Sequence, residues 1–228
     1  MKLKAAIRYQ TVELVQSAAA FFLIVGVIIA IIFLPAFSQG AHVMVSSMGS
    51  LPFVLMVLLA LSVFSGDVRF LLRMGLTRAQ VLASTAASFA AACLFLALVE
   101  TVCVILVPFW SHEHSLFLGV YGAEHGPLLD FLFMLLGCAA ASAVGLALAA
   151  LQMRFGTRRV VLFVAALGVL WFMPFRNVDA IMAFSNGLSW AFGFGEGASL
   201  ANPFITFVLV AAIGAAVAWV VVRRLEVR

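Results

Sequence analysis

The segment Asp67-Val68-Arg69-Phe70-Leu71-Leu72-Arg73-Met74-Gly75-Leu76-Thr77-Arg78-Ala79-Gln80 carries three arginines and one acid, while the stretches on either side of it, 46–66 and 81–107, hold a single charged residue, Glu100. At 1.5 Å of rise per residue, each flank is long enough for a helix to cross about 30 Å of hydrocarbon. The segment is therefore a short basic link between two membrane helices.

Working outward, the same alternation recurs along the chain. Apolar stretches lie at 17–34, 46–66, 81–107, 128–151, 160–175 and 203–222. The links between them alternate in charge. Lys2, Lys4 and Arg8, then Arg69, Arg73 and Arg78, then Arg154, Arg158 and Arg159, then Arg223, Arg224 and Arg228 fall on one side. Glu113, Glu124, Asp130, Asp179 and Glu196 fall on the other, where Arg176 is the only basic residue. Lysine and arginine set orientation, so the pattern predicts an all-α, polytopic membrane protein with six transmembrane helices and both termini cytoplasmic, in a bacterial inner (plasma) membrane. The whole chain, 1–228, reads as one transmembrane domain. The stretch 160–175 is the short one, extended by the Arg158-Arg159 pair and by Trp171 as an interfacial anchor.

Composition agrees: 66% hydrophobic against 10% charged is too apolar for a soluble chain of 228 residues. The net charge of +4 belongs to the inner face and its anionic lipids, and implies no nucleic acid. Cys93, Cys103 and Cys138 lie inside apolar stretches without paired spacing and read as packing residues.

Residues 1–16 mix Leu3, Ile7, Leu14 and Val15 with Lys2, Lys4 and Arg8, the pattern of an amphipathic helix lying in the interface. Within 67–76, Phe70, Leu71 and Met74 fall at helical spacing, Gly75 provides a stop, and Thr77 to Gln80 has the form of a capping box. A short cytoplasmic helix, a tight turn and a fresh membrane helix are expected. Such a knuckle suits a partner protein, with Arg69, Arg73, Gly75, Thr77 and Arg78 as docking candidates. Topology control by charge alone is the other reading of those arginines.

Four further features bear on function. Glu100 is the one acid away from the ends of an apolar stretch, Asp130 standing at the start of 128–151, and it either lines a path or serves as a buried hydrogen-bond partner. Gly137, Ala141, Gly145 and Ala149, with Gly214 and Ala218, repeat at four-residue intervals and allow close helix approach. His112-Glu113-His114 with Glu124, His125 and Asp130 matches no zinc signature, and a polar loop is expected there. The apolar, glycine-rich segment 176–202 suggests a re-entrant hairpin or a collapsed lid at the outer face.

The run Arg73-Met74-Gly75-Leu76-Thr77-Arg78 resembles the basic, asparagine, glycine, aliphatic, serine or threonine, arginine signature of small permease subunits of type-2 ABC transporters, with Met74 in place of the usual asparagine. The resemblance implies a coupling helix that docks on an ATP-binding subunit, a second permease subunit, identical or homologous, and a re-entrant outer element before the last span. ATP and Mg²⁺ would be bound by the partner, with no cofactor in this chain. A phosphate-binding loop needs a lysine, and the only lysines here are Lys2 and Lys4. The expectation is thus a non-enzymatic membrane subunit of an ATP-driven exporter of a hydrophobic or amphipathic substrate. The alternative is a non-transporting membrane scaffold or assembly factor.

Overall fold

The computed structural model describes residues 2–38, 49–106, 116–121, 126–172, 178–194 and 197–224. Among these, all regular structure is helical: α1 (Lys2–Ser38), α2 (Leu51–Arg73), α3 (Arg78–Leu106), α4 (Leu116–Tyr121), α5 (Pro127–Phe155), α6 (Thr157–Phe172), α7 (Val178–Ala191) and α8 (Asn202–Arg223). Pro52, Pro127 and Pro203 stand in the first turns of α2, α5 and α8. There the missing N–H is one the helix leaves unpaired anyway, and the fixed φ already suits the helix.

Five of the helices, α1, α2, α3, α5 and α8, are long and apolar enough to cross a membrane, which makes this a membrane protein of helical type. Of the stretch 160–175, residues 160–172 fall in α6, whose 16 residues span ~24 Å against the ~30 Å hydrocarbon core, and 173–175 lie outside the described residues. Large apolar side chains stand outward on α1, α6 and α8, among them Leu23, Ile31, Leu162 and Ile213. In lipid such exposure carries no penalty, and close packing takes over as the force between helices.

That packing centres on α5, which lies against α2, α3 and α8. Its small residues set the approach. A β-carbon on Gly145 would stand 2.6 Å from the Ala60 Cβ of α2, and one on Gly137 would stand 2.5 Å from the Phe53 ring. On the other side, a β-carbon on Gly214 of α8 would stand 2.7 Å from the Ala143 carbonyl carbon of α5. The four-residue spacing seen in the sequence thus serves contacts inside one bundle.

Three boundaries differ from the sequence expectation. Residues 2–16 do not form a separate interfacial helix; they are the first turns of α1, which continues to Ser38. The reason is a buried stripe, Ala6, Gln10, Leu14 and Ala18, repeating every four residues and running through position 16 onto α3. At 37 residues, α1 is ~55 Å long, far more than one crossing requires. Likewise, 67–73 is the end of α2 and not a separate short helix.

The third boundary is at the link between α5 and α6, which is Gly156 alone. Its φ of 84° and ψ of 148° lie in a region essentially reserved for glycine. The helix direction therefore changes over a single residue.

At the opposite end, α7 occupies most of 176–202. Its last carbonyls are satisfied by α8: Asn202 Nδ2 donates to Trp190 O at 2.8 Å, and Thr206 Oγ1 donates to Ala191 O at 2.8 Å. Beside this junction an aromatic cluster joins α4, α5 and α8. The Phe117 ring lies 4.8 Å from Tyr121, 5.3 Å from Phe133 and 6.2 Å from Phe204. Tyr121 stacks on Phe194 at 5.1 Å and donates its hydroxyl to Phe192 O at 2.7 Å. Burial pushes that phenol above its ordinary pKa, so it stays a donor.

Candidate functional site

The knuckle between α2 and α3 is closed by two reciprocal motifs. Gly75, at φ +81°, ends α2: its N–H donates to Leu72 O at 3.0 Å and the Leu76 N–H donates to Leu71 O at 3.2 Å. This is the Schellman pattern, with its usual apolar contact supplied by Leu71 and Leu76, both buried in one cluster. Helix α3 then opens with the capping box. The Gln80 N–H donates to Thr77 Oγ1 at 3.3 Å, and the Thr77 N–H donates to Gln80 Oε1 at 3.0 Å. Every turn of chain from Leu71 to Gln80 is thereby tied to a neighbour, and the knuckle is stiff.

Arg69, Arg73, Met74, Gly75 and Thr77 are exposed on it. Arg78 is half-buried and spent inside the chain: its Nη1 donates to Arg223 O at 2.7 Å. A guanidinium at the C-terminal carbonyls of α8 meets the negative end of the helix dipole. The structure therefore places the five loop candidates together and gives Arg78 a structural partner. Glu100 is elsewhere, half-buried in α3 and 22 residues, hence ~33 Å, along the helix from Arg78.

Among the described residues no group of three or more His, Cys, Asp or Glu side chains could hold a metal ion. His112, Glu113, His114, Glu124 and His125 lie outside those residues, and Asp130 is in the first turn of α5.

A polar cluster that the sequence reading did not single out lies behind the knuckle, between α1, α2 and α3. Gln10 is buried and donates from Nε2 to Asp67 Oδ2 at 2.8 Å and to Thr85 Oγ1 at 3.4 Å. Thr11 Oγ1 donates to Ser88 Oγ at 3.2 Å, and Ser88 Oγ donates to Ile7 O at 3.2 Å. Tyr9 lies beside Glu13, whose Oε2 is buried without a hydrogen-bond partner among the described residues, as is Gln10 Oε1. The only sequence signal was a polar stripe, Thr85 and Ser88 on α3, and a glutamine among the polar residues of α1. Neither identifies the other without the fold.

Gln10→Leu is expected to destabilise the protein by ~1–3 kcal/mol, because it leaves the buried Asp67 carboxylate without its donor. Replacing both residues, Gln10→Leu with Asp67→Leu, should cost less than the two single changes added together, since an apolar pair leaves nothing unsatisfied. Thermal unfolding in detergent of the three variants checks this. Strict additivity would show that the two side chains do not depend on each other.

Among the described residues, fold and knuckle together define a helical membrane protein with five helices able to span and a stiffened, arginine-bearing turn between α2 and α3. Compared with protein-family models, curated proteins and solved structures, the chain matches none.

Proposed function

We propose that the chain is the membrane-spanning subunit of an ATP-driven transporter, an exporter of hydrophobic or amphipathic molecules. It works beside a second permease subunit, with a pair of separate ATP-binding subunits at the cytoplasmic face of a bacterial inner membrane. In this reading α6 makes the sixth crossing, both termini are cytoplasmic, and ATP with Mg²⁺ sits wholly in the partner. The outer segment around α7 would be the re-entrant element near the exit of the path.

The observation that carries the reading is the way the knuckle is wired. Its outer side offers Arg69, Arg73 and Thr77 to a partner. Its inner side is bonded to α8 through Arg78 and, two turns back along α2, to α1 and α3 through Asp67, Gln10 and Thr85. A displacement imposed on so stiff a turn is passed to α1, α3 and α8 together, instead of being absorbed by a soft loop. That is what a motor acting from outside the membrane requires of its contact point.

The test is affinity purification from native membranes, scored by the co-purifying ATP-hydrolysing subunit and its ATPase rate. Arg73→Glu reverses an exposed charge, and Leu72→Pro breaks the last turn of α2, a change costing ~3 kcal/mol in a helix interior. Each is expected to lower capture of the ATP-binding subunit about tenfold, equivalent to ~1.4 kcal/mol of docking energy, with membrane insertion intact. Arg78→Glu should do the same and also loosen α8. Capture at the wild-type level in all three variants would reject the docking role.

A further inference from the structure

On the other side of the knuckle, the first turns of α1 and the end of α2 enclose an apolar groove of about 300 Å³. Ala6, Leu71 and Leu76 are its buried floor, and Tyr9, Phe70 and Met74 stand exposed around it. The groove exists because α1 contributes Ala5 and Ala6 where Phe70 of α2 and Met74 just after it stand opposite: methyl groups leave space beside longer side chains. The Tyr9 and Phe70 rings approach to 5.9 Å. Lys2 brings its ammonium to the same groove, 3.6 Å from where a β-carbon on Gly75 would stand.

We infer that this groove binds one acyl chain of an anionic phospholipid, with the lipid phosphate held against Lys2. Size, polarity and charge decide between occupants. One turn of a helix, 10–12 Å across and 5.4 Å tall, fills about 500 Å³, so a partner helix cannot enter the groove whole. Part of a single hydrocarbon chain fits a space at the lower end of the usual range for small-ligand pockets, about 300–1,000 Å³, the remainder of the chain running out along the apolar helix surface. The apolar walls offer water few hydrogen-bond partners, so water is a poor filling. Lys2, together with Arg69 and Arg73 on the adjoining end of α2, is exposed and forms no ion pair among the described residues. The charge at this end thus complements a phosphate, and a zwitterionic lipid would satisfy it less well. The inference is independent of the transport reading, because it needs a membrane but no ATP-binding partner.

The test uses the full chain purified in mild detergent, stripped of lipid, mixed with phosphatidylglycerol or phosphatidylcholine and examined by native mass spectrometry. One phosphatidylglycerol should be retained, with at least about tenfold preference over phosphatidylcholine. Lys2→Ala should cut that preference about fivefold, which corresponds to the ~1 kcal/mol that one basic residue contributes near an anionic surface. Ala5→Phe should fill the groove and abolish retention of either lipid. Ala5 is exposed, so the larger side chain leaves the helix content seen by circular dichroism unchanged. Arg158→Ala, at the exposed start of α6, should leave retention as it is. Equal retention of the two lipids overturns the inference, as does wild-type retention in Ala5→Phe. A loss in Arg158→Ala equal to that in Lys2→Ala also overturns it, because it would show only the general field of a basic face. Should Ala5→Phe fail to fold, the Lys2→Ala comparison still decides the matter.

Discussion

Phe117→Ala is expected to lower the unfolding free energy by ~3–5 kcal/mol, the usual cost of deleting a fully buried aromatic ring. Phe117 is 1% exposed and is the anchor of α4, a helix of only 6 residues. A helix that short does not hold itself, since nucleation costs more than so few hydrogen bonds return. Its position therefore depends on the rings of Tyr121, Phe133 and Phe204 around Phe117 and on the Tyr121 bond to Phe192 O. Tyr121→Phe removes only that bond and should cost ~1 kcal/mol. Denaturant unfolding in detergent gives both values, and proteolysis within 116–121 should rise in Phe117→Ala alone. A Phe117→Ala variant as stable as Tyr121→Phe would show that the ring does not seat α4.

The second large effect is expected at the contact of α5 with α2. Gly145→Ala places a β-carbon 2.6 Å from the Ala60 Cβ, 3.0 Å from Val57 O and 3.1 Å from Val57 Cα. Two of the three neighbours are backbone and cannot rotate away, so the helices must part. Overpacking of this kind costs ~1–3 kcal/mol. Adding Ala60→Gly removes the nearest neighbour and should restore part of the loss, while the contacts with Val57 remain. Gly214→Ala has no such remedy, because both of its nearest neighbours, at 2.7 and 2.8 Å, are backbone atoms of Ala143. Thermal unfolding of the single and paired variants gives the coupling directly. Independent, additive effects at 145 and 60 would mean that α2 and α5 do not meet there.

Much of the knuckle was legible in the sequence because its forces are local. The stop at Gly75 and the box from Thr77 to Gln80 depend on atoms within five residues, and both formed as the residue types require. The four-residue spacing of glycine and alanine on α5 was equally legible, although it did not say which helices would fill the notches. Arg78 was not legible in this way. It reads as one more basic residue in an inner loop, and its partner, Arg223 O, lies 145 positions away.

The sequence by itself determined the solvent and the secondary structure. Long runs of Leu, Val, Ala and Phe exclude water, a backbone in lipid must satisfy its own hydrogen bonds, and helices follow. It also determined the stop at Gly75 and the start of α3 behind Thr77. Only the tertiary structure decided that residues 2–16 continue into α1, because their amphipathic pattern serves a protein face as well as a lipid surface. The choice was made by the seat that α3 offers to Ala6, Gln10 and Leu14. The tertiary structure also decided that Gln10 meets Asp67 and that α5 is the centre of the bundle. A buried polar group takes whichever partner the packing brings within 3 Å or so, and nothing along the chain records which one that will be.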